Sequence, residues 1–201
     1  MPLPFGIDHA VIAVHDLGAA ASTFRELGFT LTPRGHHSIG SQNTCIMLGS
    51  TYIELLAPTG THPWLEHYRE FLRGGDGLAA IALRTDDADA AYQALDENAV
   101  AAAPPMDLSR PVEGGIARFR LVRIEGMPNV FVCQHQTPEL VWRSEWQRHA
   151  NGARELTGVA LAAERPFAGL PASVEWGATP ALRIRGLRAS AEAHGVRLRP
   201  A

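Results

Sequence analysis

At 201 residues the chain is long enough for one large domain or two small ones with a real core. A hydrophobic content of 46%, a charged content of 19% and a net charge of −3 are ordinary for a soluble globular protein. No basic surplus points to a nucleic-acid partner, and no stretch approaches the roughly 20 apolar residues of a membrane span. The opening "MPLPFGIDH" lacks a signal-peptide pattern. Cys45 and Cys133 each fall in a strand-like run without a CxxC partner, so two reduced, buried thiols in a cytoplasmic protein are expected.

In chain order, "GIDHAVIAVHDLGAAASTFRELGF" (6–29) reads as a strand, an Asp in N-cap position and a helix with Ala20, Phe24 and Leu27 on one face. Strand-like runs "FTLTPRG", "TCIMLG" and "TYIELLAP" follow. In the last of these, Tyr52, Glu54 and Leu56 share one face, so a carboxylate projects from an otherwise apolar strand and needs a partner. "GTHPWLEHYREFLRGGDG" reads as a helical connector ending in glycines.

"GLAAIALRTDDADAAYQALDENAV" (77–100) then repeats the first segment without a gap. Gly6 matches Gly77, Asp16 matches Asp87, Ala19 and Ala20 match Ala90 and Ala91, and Glu26 matches Glu97. The second copy continues through "ARFRLVRI" and "NVFVCQHQ". The unit is a strand, a helix and about three more strands, used twice. "TPELVWRSEW" reads as a helix with Trp142 and Trp146 on one apolar stripe. Beyond it, "ELTGVALAAERP" resembles a third first strand, and "ALRIRGLRASAEAHGVRLRP" reads as strand, short helix, strand.

The βαβββ duplication, "GIDHAVIAV" with its His, "YIELLAP" with its Glu and "TDDADAAYQAL" resemble the vicinal oxygen chelate superfamily, and more narrowly its glyoxalase-like-domain branch. "SRPVEGGIARFRLVRI" and "CQHQTPELVWRSEW" resemble that branch as well. The resemblance implies an α+β fold in which two βαβββ modules, each half a barrel, form a cup around a divalent metal. The glyoxalase-like domain would span 1–150, with modules at 4–60 and 76–137 and the connector at 61–75. Residues 151–201 would be a C-terminal extension like an abbreviated third module, covering a sheet edge or the helix layer.

The resemblance also implies ligands on the first and last strands of each module. These positions fall on His9 and Glu54 in module one, and on Ala80 and Gln134 in module two when Pro58 is set against Pro138. Ala80 cannot bind a metal, and a Gln carbonyl suits only a hard ion. His9, Glu54 and Gln134 are the expected ligands of a divalent Zn, Ni, Mn or Fe; without metal, His9 and Glu54 would hydrogen-bond each other. His135 is the alternative ligand, requiring a bulge to turn it inward; otherwise it docks the segment after it. Strand parity places Arg84 beside Ala80 and Ala82 as an anion or carbonyl anchor, unless it reaches solvent at the strand end. Asn43 at the rim completes the expected substrate contacts together with Ser109 and Arg110, whose loop is either a polar lip at the mouth of the cup or an ordinary surface loop. His37, in "GHHS", is either a substrate contact or part of a solvated turn, and Arg118 with Arg120 either form a solvated face or line the cup.

Two function classes follow. One is a lyase, isomerase or dioxygenase-type enzyme that acts on a small carbonyl or oxygenated metabolite, with Glu54 as base. The other is a metal-free small-molecule binding or sequestering protein of the same fold. The expected partners are a small-molecule substrate or ligand and a second copy in a homodimer, with no nucleic acid and no membrane.

Overall fold

The computed structural model describes residues 3, 5–165 and 167–201, and in it the sequence repeat becomes a backbone repeat. Module one runs β1 (Gly6–Ala13), α1 (Leu17–Glu26), β2 (Gly35–His36), β3 (Ser41–Leu48) and β4 (Thr51–Pro58). After a 3₁₀ turn at Pro63–Leu65, the connector forms α2 (Glu66–Leu72). Module two runs β5 (Gly77–Thr85), α3 (Ala88–Glu97), β6 (Met106–Val112), β7 (Gly115–Arg123) and β8 (Val130–His135). The duplicated aspartates act identically: Asp16 accepts from the amides of Gly18 and Ala19, and Asp87 from those of Asp89 and Ala90.

One eight-stranded sheet, ordered β2-β3-β4-β1-β5-β8-β7-β6, holds both modules. Each first strand lies parallel to the last strand of its own module, and β1 runs antiparallel to β5. The halves therefore meet back to back about an approximate two-fold axis between β1 and β5. The sheet curls until its edges touch, where Ser38 N donates to the Ser109 carbonyl at 2.8 Å. Period-2 alternation then separates two cores. Val11, Cys45, Tyr52, Ala82, Phe119 and Phe131 face the concave side with Leu65, Tyr68 and Leu72 of the connector. Ile12, Ile53, Ile81 and Val132 face the convex side, under Phe24 of α1 and Leu95 of α3. Fully burying a side chain such as Phe24 is worth roughly 1.5–3 kcal/mol.

The C-terminal extension forms a second sheet from β9 (Glu155–Leu161), β10 (Val174–Trp176), β11 (Ala181–Arg185), β12 (Ala191–Ala193) and β13 (Val196–Pro200). It packs Leu156, Leu182, Ile184, Val196 and Leu198 into the convex core, where β9 lies against β4 and β5, so it sits on the helix side of the sheet rather than over the cup. Two expected helices are absent. The helical spacing in "SAEAHG" is overridden by a two-residue hairpin between Ala193 and Val196, with φ of +47° at His194 and +69° at Gly195. "TPELVWRSEW" forms only short 3₁₀ turns at Pro138–Leu140 and Ser144–Trp146. Between them Trp142 packs edge-on against Tyr52 and His135 instead of joining a stripe with Trp146. Among the described residues, no helix is long and apolar enough to cross a membrane.

Candidate functional site

The polar centre of the cup begins with an irregularity in β1. Ile7 pairs with Leu83 and His9 with Ala82, which leaves Asp8 as an extra residue between them. Such a bulge puts two consecutive side chains on one face. Asp8 is completely buried beside His9, and its Oδ2 lies 2.7 Å from His9 Nδ1. Strict alternation sends Asp8 to the face opposite His9, which is why sequence reasoning missed it; a shifted register was its only signal.

Asp8 gathers three partners. His135 Nε2 lies 2.9 Å from the same Oδ2, and Arg84 Nε donates to Oδ1 at 3.0 Å. Burial alone would push the Asp8 carboxyl up, but the charge and hydrogen bond of His135, then those of His9, pull it far below the usual range. Asp8 is thus an acceptor, and both ring nitrogens facing it carry hydrogen. His9 is stacked on Tyr52, with centroids 4.3 Å apart and planes 17° from parallel, and turns its Nε2 toward Glu54 Oε2 at 3.5 Å.

Glu54 is the carboxylate that the strand pattern singled out, and it points into the cup with 6% exposure. Asn43 Nδ2 donates to its Oε1 at 2.7 Å. Asn43 is buried in the wall rather than set at the rim, and its Nδ2 also lies 3.4 Å from His37 Nε2. His37 is a cup residue: its Nδ1 lies 2.8 Å from Ser41 Oγ and its Nε2 3.9 Å from Glu54 Oε1. Burial lowers the His37 pKa to about 4, with Glu54 opposing the shift and Arg110 adding to it, so the ring is neutral near pH 7.

Arg110 stands across from these groups on β6. It is 5% exposed and lines the cavity shared by His9, His37, Asn43 and Glu54. Its Nε is buried without a hydrogen-bond partner, and none of the described carboxylates forms an ion pair with it. Gly35 makes room for it: a methyl there would come within 2.9 Å of Arg110 Nη1 and closer still to Asn43 Oδ1. Ser109, the neighbouring expected contact, instead ties β6 to the β2–β3 turn through its backbone.

Other expected positions fall differently. Phe131, Cys133 and His135 take the concave face of β8 by plain alternation, so His135 needs no bulge. Gln134 therefore lies on the opposite face, where its Oε1 accepts from the Ala88 amide at 3.2 Å and its Nε2 donates to the Asp86 carbonyl at 2.7 Å. It caps α3 and does not converge with His9 and Glu54. Arg84 neither enters the cavity nor runs free in solvent; it holds Asp8 and the Ser50 carbonyl. Arg118 is exposed, and Arg120 pairs outside with Asp89 and Asp107.

The cavity holds about 510 Å³ of space between atoms, its open mouth included. Leu56, Leu65, Tyr68, Phe119 and Phe131 make most of its wall apolar. Burial pushes Cys45, also on this wall, up to about 12, so it is a neutral thiol.

A metal held at the pattern shared by both modules does not fit. Glu54 stands opposite Val11, and the residue opposite the equivalent Ala82 is Phe131. Module two thus presents Ala80 and Phe131 where module one presents His9 and Glu54, leaving two donors. A different set does come together: single donor atoms of Asp8, His9, Cys133 and His135 all lie within 4.8 Å of one another.

The family model described as "Glyoxalase-like domain" matches residues 7–178. Among solved structures, a hypothetical protein from Staphylococcus aureus shares 15% identity at a TM-score of 0.72, covering 98% of this chain and 100% of its own. Methylmalonyl-CoA epimerase from Mycobacterium tuberculosis shares 24% identity over 65% of this chain and 86% of its own, at a TM-score of 0.46. The Streptomyces coelicolor methylmalonyl-CoA epimerase in complex with 2-nitronate-propionyl-CoA shares 23% over 64% of this chain and 94% of its own, at 0.46. No curated protein matches the sequence.

Proposed function

Since this chain belongs to the glyoxalase-like domain family of the vicinal oxygen chelate superfamily, we propose that it is an isomerase- or lyase-type enzyme that moves a proton on a small carbonyl metabolite bearing an acidic group. The observation that carries this reading is Arg110: a buried guanidinium, without a counter-ion among the described residues, in one cavity with a buried carboxylate. An unpaired buried charge costs several kcal/mol, and a substrate anion would remove that cost. The planar fork of Arg110 suits a carboxylate, which it would hold through two parallel hydrogen bonds.

With its acidic group on Arg110, the rest of a small substrate reaches toward Glu54. Asn43 occupies Oε1 and leaves Oε2 as the oxygen available to accept a proton from the carbon next to the carbonyl. Neutral His37 accepts from the second Asn43 hydrogen and so keeps the amide, and through it Glu54, in one orientation. The apolar wall and the connector helix exclude water from the charge that develops. A divalent ion of the Zn, Ni, Mn or Fe kind would be held beside this path by Asp8, His9, Cys133 and His135, where its charge would favour the anion that proton loss leaves on the substrate.

Proton exchange tests the reading directly. Pyruvate and 2-oxobutyrate, incubated with the protein in D₂O, should lose the NMR signals of the hydrogens next to the carbonyl. Glu54→Gln should slow that loss by about 10²–10⁴-fold. Arg110→Gln should raise KM for the acids and leave neutral ketones unaffected. No exchange with any such acid would overturn the proposal. Saturable binding without exchange would instead favour a metal-free binding protein, a reading that rests on the missing ligands at Ala80 and Phe131.

A further inference from the structure

We infer that the protein carries a divalent-metal site built from Asp8, His9, Cys133 and His135, displaced from the axis between its two modules into the wall between the cup and an outer cleft. The donors come from only two strands. The bulge in β1 supplies adjacent Asp8 and His9, and the concave face of β8 supplies Cys133 and His135 two residues apart. Their donor atoms lie within 4.8 Å of one another, close enough for small side-chain movements to bring all four onto a single ion. A carboxylate, two imidazoles and a thiol form a borderline-soft set, of the kind that takes Zn²⁺ in tetrahedral geometry.

The surroundings are those of a metal site rather than of a hydrogen-bonded core knot. Arg84 holds Asp8 Oδ1 at 3.0 Å and leaves Oδ2 directed at both imidazoles, as an outer partner orients a ligand. The His135 side chain is 6% exposed, and its Nε2 shares Asp8 Oδ2 with His9 Nδ1, so three of the donors already converge on one point. Tyr52, Phe119 and Trp142 pack edge-on around that ring and fix its plane. There is also an entry path. His9 and Cys133 line the cup, while His135 and Arg84 line a separate surface cleft with Ser50 and Trp142. An ion entering from either side would take the ring nitrogens that face Asp8, Nδ1 of His9 and Nε2 of His135, and each ring would then carry its hydrogen on its other nitrogen. Cys133 would bind as thiolate, its proton passing to solvent. The site excludes Glu54, and its test is independent of the reaction proposed above.

Cobalt reports on this ligand set because thiolate coordination gives Co²⁺ a near-ultraviolet charge-transfer band. Titration of Co²⁺ into the full-length, chelator-treated protein should produce that band and saturate at one equivalent. Cys133→Ser should abolish it. Cys45→Ser, which alters the other buried thiol of the cup, should leave it unchanged, as should Glu54→Gln. His135→Asn should weaken binding by more than the roughly 10–100-fold that loss of an outer-shell partner costs. X-ray absorption on the natural protein loaded with Zn²⁺ needs no variant, and should show one sulfur neighbour at about 2.3 Å. Failure to bind, binding without a sulfur neighbour, or loss of binding in Glu54→Gln but not in Cys133→Ser would each overturn the assignment.

Discussion

The two modules share a frame and divide the chemistry. His9, Asn43, Glu54 and His37 all come from module one, whereas module two gives the cavity Leu108, Phe119, Leu121 and Phe131, with Arg110 and Cys133 as its polar exceptions. Asp16 and Asp87 cap equivalent helices in the same way, and β1 and β5 pair about the same axis. The counterparts of Asp8 and His9, however, are Ala79 and Ala80. Backbone pairing and helix capping constrain residues on both sides of the axis equally, while a reaction centre needs each group once. A duplicated fold thus frees most of one copy to become wall, with Arg110, Cys133 and His135 as the groups that module two adds to the chemistry.

The deepest test of this asymmetry is Asp8. In module two the same place holds an alanine with 2% exposure, where nothing needs pairing. In module one, Asp8→Asn would strip the charge from a fully buried carboxylate that serves two imidazoles and Arg84. Removing one partner of such a cluster costs about 3–5 kcal/mol. Urea unfolding should show that loss at an unchanged m-value. A loss below about 1 kcal/mol would mean that Asp8 is no more a keystone than Ala79.

His37 gives the next largest effect. Its folded pKa of about 4 lies below the ordinary 6.5, so the unfolded chain binds the proton more tightly. Stability from this group is fully present above pH 6.5, declines as pH falls through that value, and is gone below pH 4. Linkage puts the loss between pH 7 and pH 5 at about 2 kcal/mol. Unfolding curves across that range should be steeper in pH for the natural protein than for His37→Gln. Parallel curves would mean that the ring is not held neutral against the cup.

Much of this was legible in the sequence because it follows from local rules. The paired N-cap aspartates, the helical spacing of Phe24 and Leu95 and the inward face of Tyr52, Glu54 and Leu56 are all periodicity or capping. Asp8 was hidden because a bulge breaks period two without changing composition. His37 could be read as turn or site, since only the closing of β2 onto β6 decides how deeply it is buried. Ser109 and Arg110 look alike as loop residues, yet pairing of β6 with β7 turns Arg110 inward and leaves Ser109 to close the edge.

Gln134 shows how a wrong anchor moves a whole assignment, and it supplies the smallest expected effect. Setting Pro58 against Pro138 treats two prolines as equivalent, but Pro58 is the last residue of β4 while Pro138 lies three residues beyond β8. Strand register makes Phe131 the true counterpart of Glu54 and sends Gln134 to the helix side. There it bridges the Asp86 carbonyl and the Ala88 amide at the start of α3. Gln134→Leu should therefore cost about 1 kcal/mol, the worth of an ordinary hydrogen bond or cap. It should leave cobalt binding and proton exchange at natural levels, because no atom of Gln134 faces the cup. If either fell with Gln134→Leu while the melting temperature held, the side chain would belong to the site and the register that separates wall from reaction centre would be wrong.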